Sequence, residues 1–423
     1  MASSVRVERT WMLVWALLAL FLVVRTGTRD DDRGVILDHL EFGHRLLVGG
    51  DLYAPGPDGK ALHPPYPPSF GLLTAPFSVL PERVARFAWG LLQVLALAAI
   101  GSRLARWLVP KVRVRSQLLI AITFAVALRY VLRDTHGGGG NLVNLALALL
   151  AMDWAGRGRE LAAGLCLGFS LATKPNLALL LLLLLALGRW RTVAASVAFG
   201  FTCLCAALLA LRHGFEPLRT WLEGTLSYAT QQDLFATPAS EFPPFTWMNQ
   251  SLRCMIERVC RTTPEPWVSQ VPGFVQGLGL GAGATQLIRN VASVILVLTT
   301  SLVAWKRRSA PAALPALISA TLLLCLLLSP ISWKAHHVAA IPALFLCVVA
   351  RRWVFLASYV LLCGVGEELI GKSWKNLQQS CYFVTLGAIA LWAIMLRDAW
   401  RSRQMSATVG ALPQASHDQP RSV

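Results

Sequence analysis

Long apolar runs, separated by short polar stretches, cover almost the whole chain. Read at about 20 residues per membrane-spanning helix, the chain contains about twelve such runs. They fall at 11–25, 86–108, 117–133, 141–154, 160–173, 177–188, 192–211, 289–305, 311–329, 338–350, 353–364 and 380–396. A backbone in lipid must satisfy its own hydrogen bonds, and a helix does so within one segment. The pattern therefore predicts an all-α, polytopic integral membrane protein with about 10–13 transmembrane helices.

Two polar interruptions are too long to be simple connections between spans. They cover residues 26–85 and 212–288. The second mixes aromatic with polar residues, a composition that suits either a cap over a site or an aromatic belt at the membrane interface. We expect one membrane domain over residues 1–403, with interfacial helices in these two loops. Residues 404–423 are polar and are predicted to form a disordered cytoplasmic tail.

The charge of the chain bears on topology and on partners. Of the 423 residues, 14% are charged and 55% are hydrophobic, which is too little charge to cover a soluble protein. The formal net charge of +17 would favour a nucleic-acid partner for a soluble protein. Here Lys and Arg gather in short tracts between apolar runs, a placement typical of membrane topology. We therefore expect membrane lipids, and no nucleic acid, as partners.

The basic tracts lie at alternate ends of the apolar runs. They are Arg103/Arg106/Lys111/Arg113/Arg115, Arg157/Arg159, Arg189/Arg191, Lys306/Arg307/Arg308, Arg351/Arg352 and Arg397/Arg401/Arg403. The positive-inside rule assigns all of them to the cytoplasm, which leaves loops 26–85 and 212–288 on the extracytoplasmic side. Both termini are then cytoplasmic, and the first apolar run reads as a retained signal anchor. The Arg-rich, Ala/Leu-rich composition suggests a GC-rich bacterial genome and hence a bacterial plasma (inner) membrane.

The cysteines give no sign of a metal or cofactor. Most of the nine lie inside apolar runs, where a thiol behaves as a small hydrophobe. Cys254 and Cys260 lie in loop 212–288, and their spacing leaves either a disulfide or two free thiols open. There is no CxxC and no His-rich metal-ligand spacing. We expect no metal and no cofactor.

The first loop carries the most suggestive carboxylates. Asp38 lies a few residues beyond a span, where it is placed to accept a proton from an incoming hydroxyl as a general base. Glu41 follows one helical turn later on the same face and is the second candidate. The alternative is that both carboxylates, with His44 and Arg45, form the wet face of an amphipathic interfacial helix.

Other polar residues stand at the ends of apolar runs. Asn141 and Asn144 follow four glycines and either bind a sugar or cap the helix. Lys174 interrupts a hairpin of two apolar runs, where it either pairs with a phosphate or snorkels to the interface. His336 and His337 are adjacent, so on a helix they diverge by about 100° and only one faces a site. Arg253 is a further candidate for anion binding.

Taken in order, these motifs resemble glycosyltransferase family 87, a GT-C-class family of membrane glycosyltransferases that includes polyprenyl-phosphate-mannose-dependent alpha-1,2-mannosyltransferases. The resemblance covers about three-quarters of the chain. The matching elements are D-x-x-x-F at Asp38–Phe42, G-G-D-L-Y at Gly49–Tyr53, Y-P-P at Tyr66–Pro68 with Pro76 and Leu80-Pro81, a glycine turn ending at Asn144, A-T-K-P at Ala172–Pro175, N-Q-S-L at Asn249–Leu252, and S-P-I-S-W-x-x-H-H at Ser329–His337.

The resemblance implies a GT-C-like helical bundle that transfers a hexose, such as mannose, with inversion. The donor would be a polyprenyl-phosphate sugar, and the acceptor a glycolipid or glycan on the extracytoplasmic face. Asp38 would be the catalytic base with Glu41 as fallback, and the leaving phosphate would be stabilised by Lys174, His336, His337 and Arg253. The candidates for substrate binding are Tyr53, Tyr66, Asn141, Asn144 and Asn249.

Two other classes of protein fit a chain with about twelve spans. A secondary transporter is one, although such proteins are often built from internal repeats with broken helices at the midplane. No repeat is visible here, and the polar motifs fall at one membrane face. A flippase or ligase for lipid-linked glycans is the other. The large first loop with its acidic residues favours glycosyl transfer over both.

Overall fold

A computed structural model describes residues 2–28, 35–54, 66–108, 113–231, 233–235 and 245–410. All regular secondary structure in these ranges is helical, which confirms the predicted all-α class. The α-helices are α1 Ala2–Gly27, α2 Ile36–Val48, α3 Phe70–Ser78, α4 Glu82–Ala105, α5 Arg113–Val126, α6 Leu128–Gly137, α7 Asn141–Gly156, α8 Glu160–Thr173, α9 Leu179–Ala186, α10 Trp190–Leu211, α11 Glu216–Thr230, α12 Leu252–Cys260, α13 Glu265–Val268, α14 Ala282–Arg307, α15 Leu314–Leu328, α16 Ile341–Val349, α17 Trp353–Tyr359, α18 Glu367–Ser380 and α19 Phe383–Gly410.

Short helices of other types extend several of these elements. The 3₁₀ helices are Pro175–Leu177, Pro311–Ala313 and Lys334–Ala340, and Val360–Gly364 is a π-helix. The tail predicted from residue 404 is in its first part a continuation of α19, and residues 411–423 lie outside the described ranges. Within the predicted first loop, residues 29–34 and 55–65 likewise lie outside them.

Among the described residues, five helices are long and apolar enough to cross a membrane, judged by length and composition. They are Glu82–Ala105, Trp190–Leu211, Ala282–Arg307, Pro311–Leu328 and Phe383–Ser402. Shorter apolar helices occupy Leu13–Gly27, Ser116–Val126, Asn141–Gly156, Glu160–Thr173, Pro175–Ala186, Lys334–Val349 and Trp353–Gly364. Each of these segments coincides with an apolar run of the sequence, and together they support a polytopic membrane protein.

One predicted run does not form a single helix. The run 117–133 divides at Ala127, where α5 ends and α6 begins. The second piece carries Arg129, Arg133 and Asp134, charges that a lipid-facing helix would not tolerate. Helix α6 is therefore a separate element, and it contributes directly to the polar end of the bundle described below.

The core of the bundle is formed by helices that are apolar on every side. Almost all of α15 is buried, and α7 is buried along most of its length. Helix α14 is the opposite, since Leu287, Val294 and Leu298 are each more than half exposed. A helix that is hydrophobic all round and exposed on one side suits contact with lipid.

The basic tracts meet carboxylates at one end of the bundle. The carboxylate of Asp153, near the end of α7, accepts hydrogen bonds from Arg103 at 2.8 Å, Arg106 at 2.6 Å and Arg157 at 2.9 Å. Arg189 pairs with Glu160 and Arg352 with Asp398 in the same way. Tracts that are far apart in sequence, and that were assigned to one membrane face, thus share ion pairs.

At the other end, helix α2 packs closely on α3. A Cβ at Gly43 would lie 2.6 Å from the backbone carbon of Thr74, so only glycine allows this approach. Helix α2 ends at Gly49, which is left-handed with φ of 70°. Both helices belong to the first loop, so the contact fixes α2 within that loop.

Loop 212–288 contains α11, α12 and α13 and has its own small core. Phe245, Trp247 and Tyr382 are buried in it, and Trp267 packs against them. Cys254 and Cys260 are both buried and both free thiols, so the two are not bridged.

The arginine cluster around Asp153 yields a stability prediction. Asp153→Asn removes the one carboxylate shared by three guanidinium groups, and we expect it to destabilise the protein by about 1–3 kcal/mol. Glu223→Gln is the matched control, because the Arg219–Glu223 pair is about two-thirds exposed on both sides and should contribute about 0–1 kcal/mol. Thermal unfolding in detergent compares them, and equal Tm values would contradict a structural role for Asp153.

Candidate functional site

The two candidate carboxylates on α2, Asp38 and Glu41, occupy different environments. Asp38 lies in the first turn and is exposed. Glu41 is half-buried and its Oε1 accepts a hydrogen bond from Arg45 Nε at 2.7 Å. The same guanidinium donates to the carbonyls of Asp51 at 3.2 Å and Ala54 at 2.7 Å. Glu41 therefore helps to hold the turn that follows α2, whereas Asp38 faces solvent.

The buried face of α2 carries a histidine that the sequence reading passed over. His39 is 1% exposed, and its ring lies 5.2 Å from Tyr66, 4.8 Å from Phe70 and 5.5 Å from Trp89, centroid to centroid. Neither ring nitrogen has a hydrogen-bond partner in the described part of the chain. Burial, with a smaller effect of nearby Lys174, lowers the pKa of His39 to about 3, so the imidazole is neutral.

Tyr66 and Lys174 join the first loop to the α8 end. The Lys174 ammonium lies 5.3 Å from the centre of the Tyr66 ring, a cation–π contact. Tyr53 donates its hydroxyl to the Tyr66 carbonyl at 3.0 Å, and Ser69 donates to the Ala172 carbonyl at 2.6 Å. The Y-P-P segment and the A-T-K-P segment are therefore one structural unit.

Asp134 is a central residue that was not among the candidates. Its fully buried carboxylate accepts hydrogen bonds from the Asn141 side-chain amide at 2.6 Å and from the backbone amide of Leu142 at 2.9 Å. It thereby caps α7, the role that was considered for Asn141 itself. The interruption of an apolar run by Arg129, Arg133 and Asp134 was the available signal.

Asp134 and Lys174 influence each other's ionisation. Burial raises the pKa of Asp134, while Lys174 and the hydrogen bonds to the carboxylate act in the opposite direction. Burial lowers the pKa of Lys174 to about 8, and the Asp134 charge limits that fall. Lys174 is 9% exposed. This burial, together with the ring contact, fixes the ammonium inside the bundle end rather than extended towards the interface.

The glycine turn before α7 gives Asp134 its space. Gly138 and Gly140 are left-handed, with φ of 73° and 67°. A Cβ at Gly139 would overlap the Asp134 carboxylate. Trp89 Nε1 donates to the Gly138 carbonyl at 3.1 Å and so ties the turn to α4. The positive φ angles account for Gly138 and Gly140, and the close approach of backbone to carboxylate accounts for Gly139.

Asn144 positions the Lys174 backbone. Its amide donates to the Lys174 carbonyl at 3.3 Å and to Asn176 Oδ1 at 2.6 Å, and its carbonyl oxygen accepts from Ser170.

Asn249 likewise holds a backbone segment, the one at Pro330 and Ser332. Its amide donates to the Pro330 carbonyl at 2.9 Å, and its oxygen accepts from the backbone amide of Ser332 at 3.0 Å. The substrate-binding roles of these two asparagines remain predictions.

The two histidines of the last motif point differently, as expected for adjacent residues. His336 Nδ1 accepts from the Trp333 backbone amide at 3.0 Å, and the ring is close enough to Lys174 to be influenced by its charge. His337 Nε2 lies 3.3 Å from Ser332 Oγ. His336 is thus the histidine on the Lys174 side.

Arg253 lies at a different place, on α12. Its guanidinium donates to the carbonyls of Tyr228, at 2.6 Å, and Gln231. Burial lowers the pKa of Arg253, and the nearby Arg289 adds to the effect. The structure therefore assigns Arg253 to holding the end of α11, and a role with the donor phosphate stays a prediction.

The site contains no evident metal centre. Nowhere in the described ranges do three or more His, Cys, Asp or Glu side chains gather as a metal ion would require. What the structure brings together is an exposed carboxylate, a neutral buried histidine, an aromatic floor and one buried ammonium with its counter-charge. These residues are Asp38, His39, Tyr66, Asp134, Asn141, Lys174 and His336. In such a site the Asp38 carboxylate can accept a proton, and the Lys174 ammonium can bind an anion.

A family model adds independent information. The model of glycosyltransferase family 87 matches residues 65–330, more than half of the chain. Neither a curated protein nor a solved structure matches the chain. The matched region contains Tyr66, Asp134, Asn141 and Lys174, whereas Asp38 lies before it.

The glycine turn yields a prediction about the site's construction. Gly139→Ala would push against the Asp134 carboxylate and weaken the α7 cap, and we expect a destabilisation of about 1–3 kcal/mol. Gly137→Ala is the matched control, because a Cβ there meets nothing within 4 Å. Thermal unfolding of both variants in detergent provides the comparison. If Gly139→Ala were as stable as Gly137→Ala, the close packing of this turn would not matter.

Proposed function

Because the chain belongs to glycosyltransferase family 87 and is therefore a membrane glycosyltransferase, we propose that its donor is a hexose, mannose first, carried on a polyprenyl phosphate. The acceptor is a glycolipid or glycan at the extracytoplasmic face. The observation that carries the proposal is the buried Lys174 ammonium at the same bundle end as the exposed Asp38 carboxylate. A lipid-linked sugar phosphate carries an anion next to a reactive carbon. The Lys174 ammonium suits the anion, and the Asp38 carboxylate suits a hydroxyl that attacks the carbon.

In the proposed reaction Asp38 acts as general base. It accepts the proton of the acceptor hydroxyl, and the oxygen attacks the anomeric carbon of the donor sugar in line. The new glycosidic bond forms as the bond from that carbon to the phosphate oxygen breaks, so the configuration inverts. Polyprenyl phosphate leaves with the bonding electrons. The exposure of Asp38 in the first turn of α2 lets an acceptor hydroxyl reach its carboxylate, and this supports Asp38 as the base.

The leaving phosphate takes its stabilisation from Lys174, with His336 beside it. A fixed positive charge in a water-poor site stabilises developing negative charge better than a mobile one in water. The Tyr66 ring and the Asn144 hydrogen bond hold the residue that carries this charge. The sugar arrives already activated by its phosphate, so the proposed reaction uses no nucleotide, cofactor or metal.

The proposed location is a bacterial plasma membrane with both termini in the cytoplasm. The basic tracts cluster with Asp153 and Asp398 at one bundle end, and the candidate site lies at the other. With the basic end inside, the site opens to the extracytoplasmic face. A transporter or flippase of a lipid-linked or small polar substrate is the competing class, and the transfer assay below separates it.

The base assignment predicts the behaviour of one substitution. Asp38→Asn should lower transfer of radiolabelled mannose from polyprenyl-phosphate mannose to a glycolipid acceptor by about 10²–10⁴-fold, because the variant lacks a proton acceptor. Asp51→Asn is the control, since Asp51 is exposed in the same loop and its Oδ1 accepts from the Tyr53 amide, as an Asn oxygen also can. The protein is assayed in nanodiscs.

Three outcomes of this assay differ in meaning. Transfer by wild type and by Asp51→Asn, with transfer by Asp38→Asn lowered about 10²–10⁴-fold, is the expected result. Undiminished turnover in Asp38→Asn would remove Asp38 from the mechanism. If wild type transferred no sugar from polyprenyl-phosphate mannose, glucose or galactose, the proposed donor class would be wrong.

Lys174 predicts a pH dependence of donor binding. Its pKa is about 8, so the ammonium is complete below that pH and is lost as the pH rises through it. The donor's phosphodiester keeps one negative charge throughout, and the donor KM should therefore rise about tenfold between pH 7 and pH 9. In Asp134→Asn the rise should begin at lower pH, because the carboxylate that raises the pKa of Lys174 is gone.

Lys174→Met is the reference for this pH series. It should have a high donor KM that no longer changes over the same pH range. Identical pH profiles in wild type and Lys174→Met would show that Lys174 does not bind the phosphate. A profile of Asp134→Asn that coincides with wild type would leave Asp134 a purely structural cap.

A further inference from the structure

His39 has hydrogen-bonding capacity that the protein does not use. Its ring is 1% exposed, and neither Nδ1 nor Nε2 has a partner in the described residues. Buried polar groups are almost always hydrogen-bonded, so each exception calls for an explanation. Nothing in the proposed chemistry of Asp38 and Lys174 requires this histidine.

A second unused polar atom lies at the same bundle end. Asn141 is 5% exposed, and while its amide nitrogen donates to Asp134, its Oδ1 has no partner in the described part of the chain. Trp89 lies beside His39, and its Nε1 donates to the carbonyl of Gly138, in the turn that leads into Asn141. Two independent side chains thus leave polar atoms unsatisfied around one aromatic wall.

The chemistry of these atoms indicates what would satisfy them. A neutral imidazole offers one N–H donor and one acceptor nitrogen, whichever nitrogen carries the proton, and the amide oxygen is a further acceptor. A phosphate diester only accepts hydrogen bonds, so it could fill the donor but neither acceptor. A hydroxyl group both donates and accepts. The unused set of one donor and two acceptors therefore matches a polyhydroxylated ligand rather than an anion.

The neighbouring aromatic surface is already occupied. The Tyr66 ring stacks on Phe70 with centroids 4.1 Å apart, and Lys174 lies over the Tyr66 ring. A ligand here therefore cannot stack on the Tyr66 ring and must be recognised through hydrogen bonds to the polar atoms of His39 and Asn141. A sugar next to the Lys174 ammonium would carry its phosphate to that charge and present its hydroxyls to His39 and Asn141.

We propose that His39 and Asn141 bind hydroxyl groups of the donor sugar, and that His39 determines which hexose is accepted. This assignment rests on the proposed function, since it takes the donor to be a lipid-linked hexose. It adds a specificity-determining residue on α2 next to the proposed base.

The test is a comparison of donors, one hydroxyl at a time. The probes are whichever of polyprenyl-phosphate mannose, glucose or galactose the wild type transfers, and the four analogues of that donor lacking the 2-, 3-, 4- or 6-hydroxyl. The variants His39→Phe and His39→Leu remove both ring nitrogens, and His39→Gln restores a donor and an acceptor. His44→Phe is the control, because His44 is exposed on the same helix.

We expect wild type to transfer one deoxy analogue about ten- to hundredfold less efficiently than the parent, in kcat/KM, because a buried polar group is then left unpaired. In His39→Phe, kcat/KM should fall for the parent donor and stay near the wild-type value for that analogue, so the preference disappears. His39→Gln should recover part of the preference, and His44→Phe should retain all of it.

Two outcomes overturn the inference. If His39→Phe and His39→Leu lower kcat/KM equally for every donor, His39 serves packing or binds a buried water molecule. If both variants keep the wild-type preference, another residue reads the hydroxyls. Absence of transfer by wild type from all three parent donors would instead overturn the proposed function, and this inference with it.

Discussion

The burial of one carboxylate organises the polar end of this protein. Asp134 lies among membrane helices where an unpaired charge would be too costly, so it must be surrounded by donors and positive charge. The α7 N-terminus and the Asn141 amide supply the donors, and Lys174 supplies the charge. These interactions depend on further neighbours. The Asp134 carboxylate has room only because residue 139 is glycine. Lys174 is held in turn by the Tyr66 ring and the Asn144 amide.

The two ends of the bundle use charge in contrasting ways. At one end, Asp153 binds three arginines that are partly exposed, which is an inexpensive way to anchor helix ends. At the other, Asp134 and Lys174 are almost completely buried. Two buried charges that influence each other add little net stability relative to apolar residues. Hydrophobic stability alone therefore does not explain them, and the proposed function uses the Lys174 charge.

The hydrophobic pattern predicted the fold class and the positions of the apolar helices, because a helix in lipid can be recognised from its length and apolar composition alone. It also singled out Lys174, since a cation between two apolar runs is conspicuous. Asp134 and His39 were missed for a physical reason. Asp134 directly follows the apolar run 117–133, which the hydrophobic pattern predicts as one span, whereas the structure divides that run at Ala127 and makes Asp134 part of the separate helix α6. His39 was missed because an apolar face is not expected to carry a histidine, although its spacing from Phe42 and Leu46 places it on the buried face of α2.

The geometry of α2 explains how base and sugar recognition can be neighbours in sequence. Consecutive residues on a helix diverge by about 100°, so Asp38 faces solvent while His39 faces the aromatic wall. An acceptor from the aqueous side would meet the carboxylate first, and a donor held by Lys174 would meet the imidazole. One short helix, fixed on α3 at Gly43, then presents the two side chains from adjacent faces, close enough to serve reactants that meet each other. Helix α2 lies before the region matched by the family model, whereas Asp134, Asn141 and Lys174 lie within it.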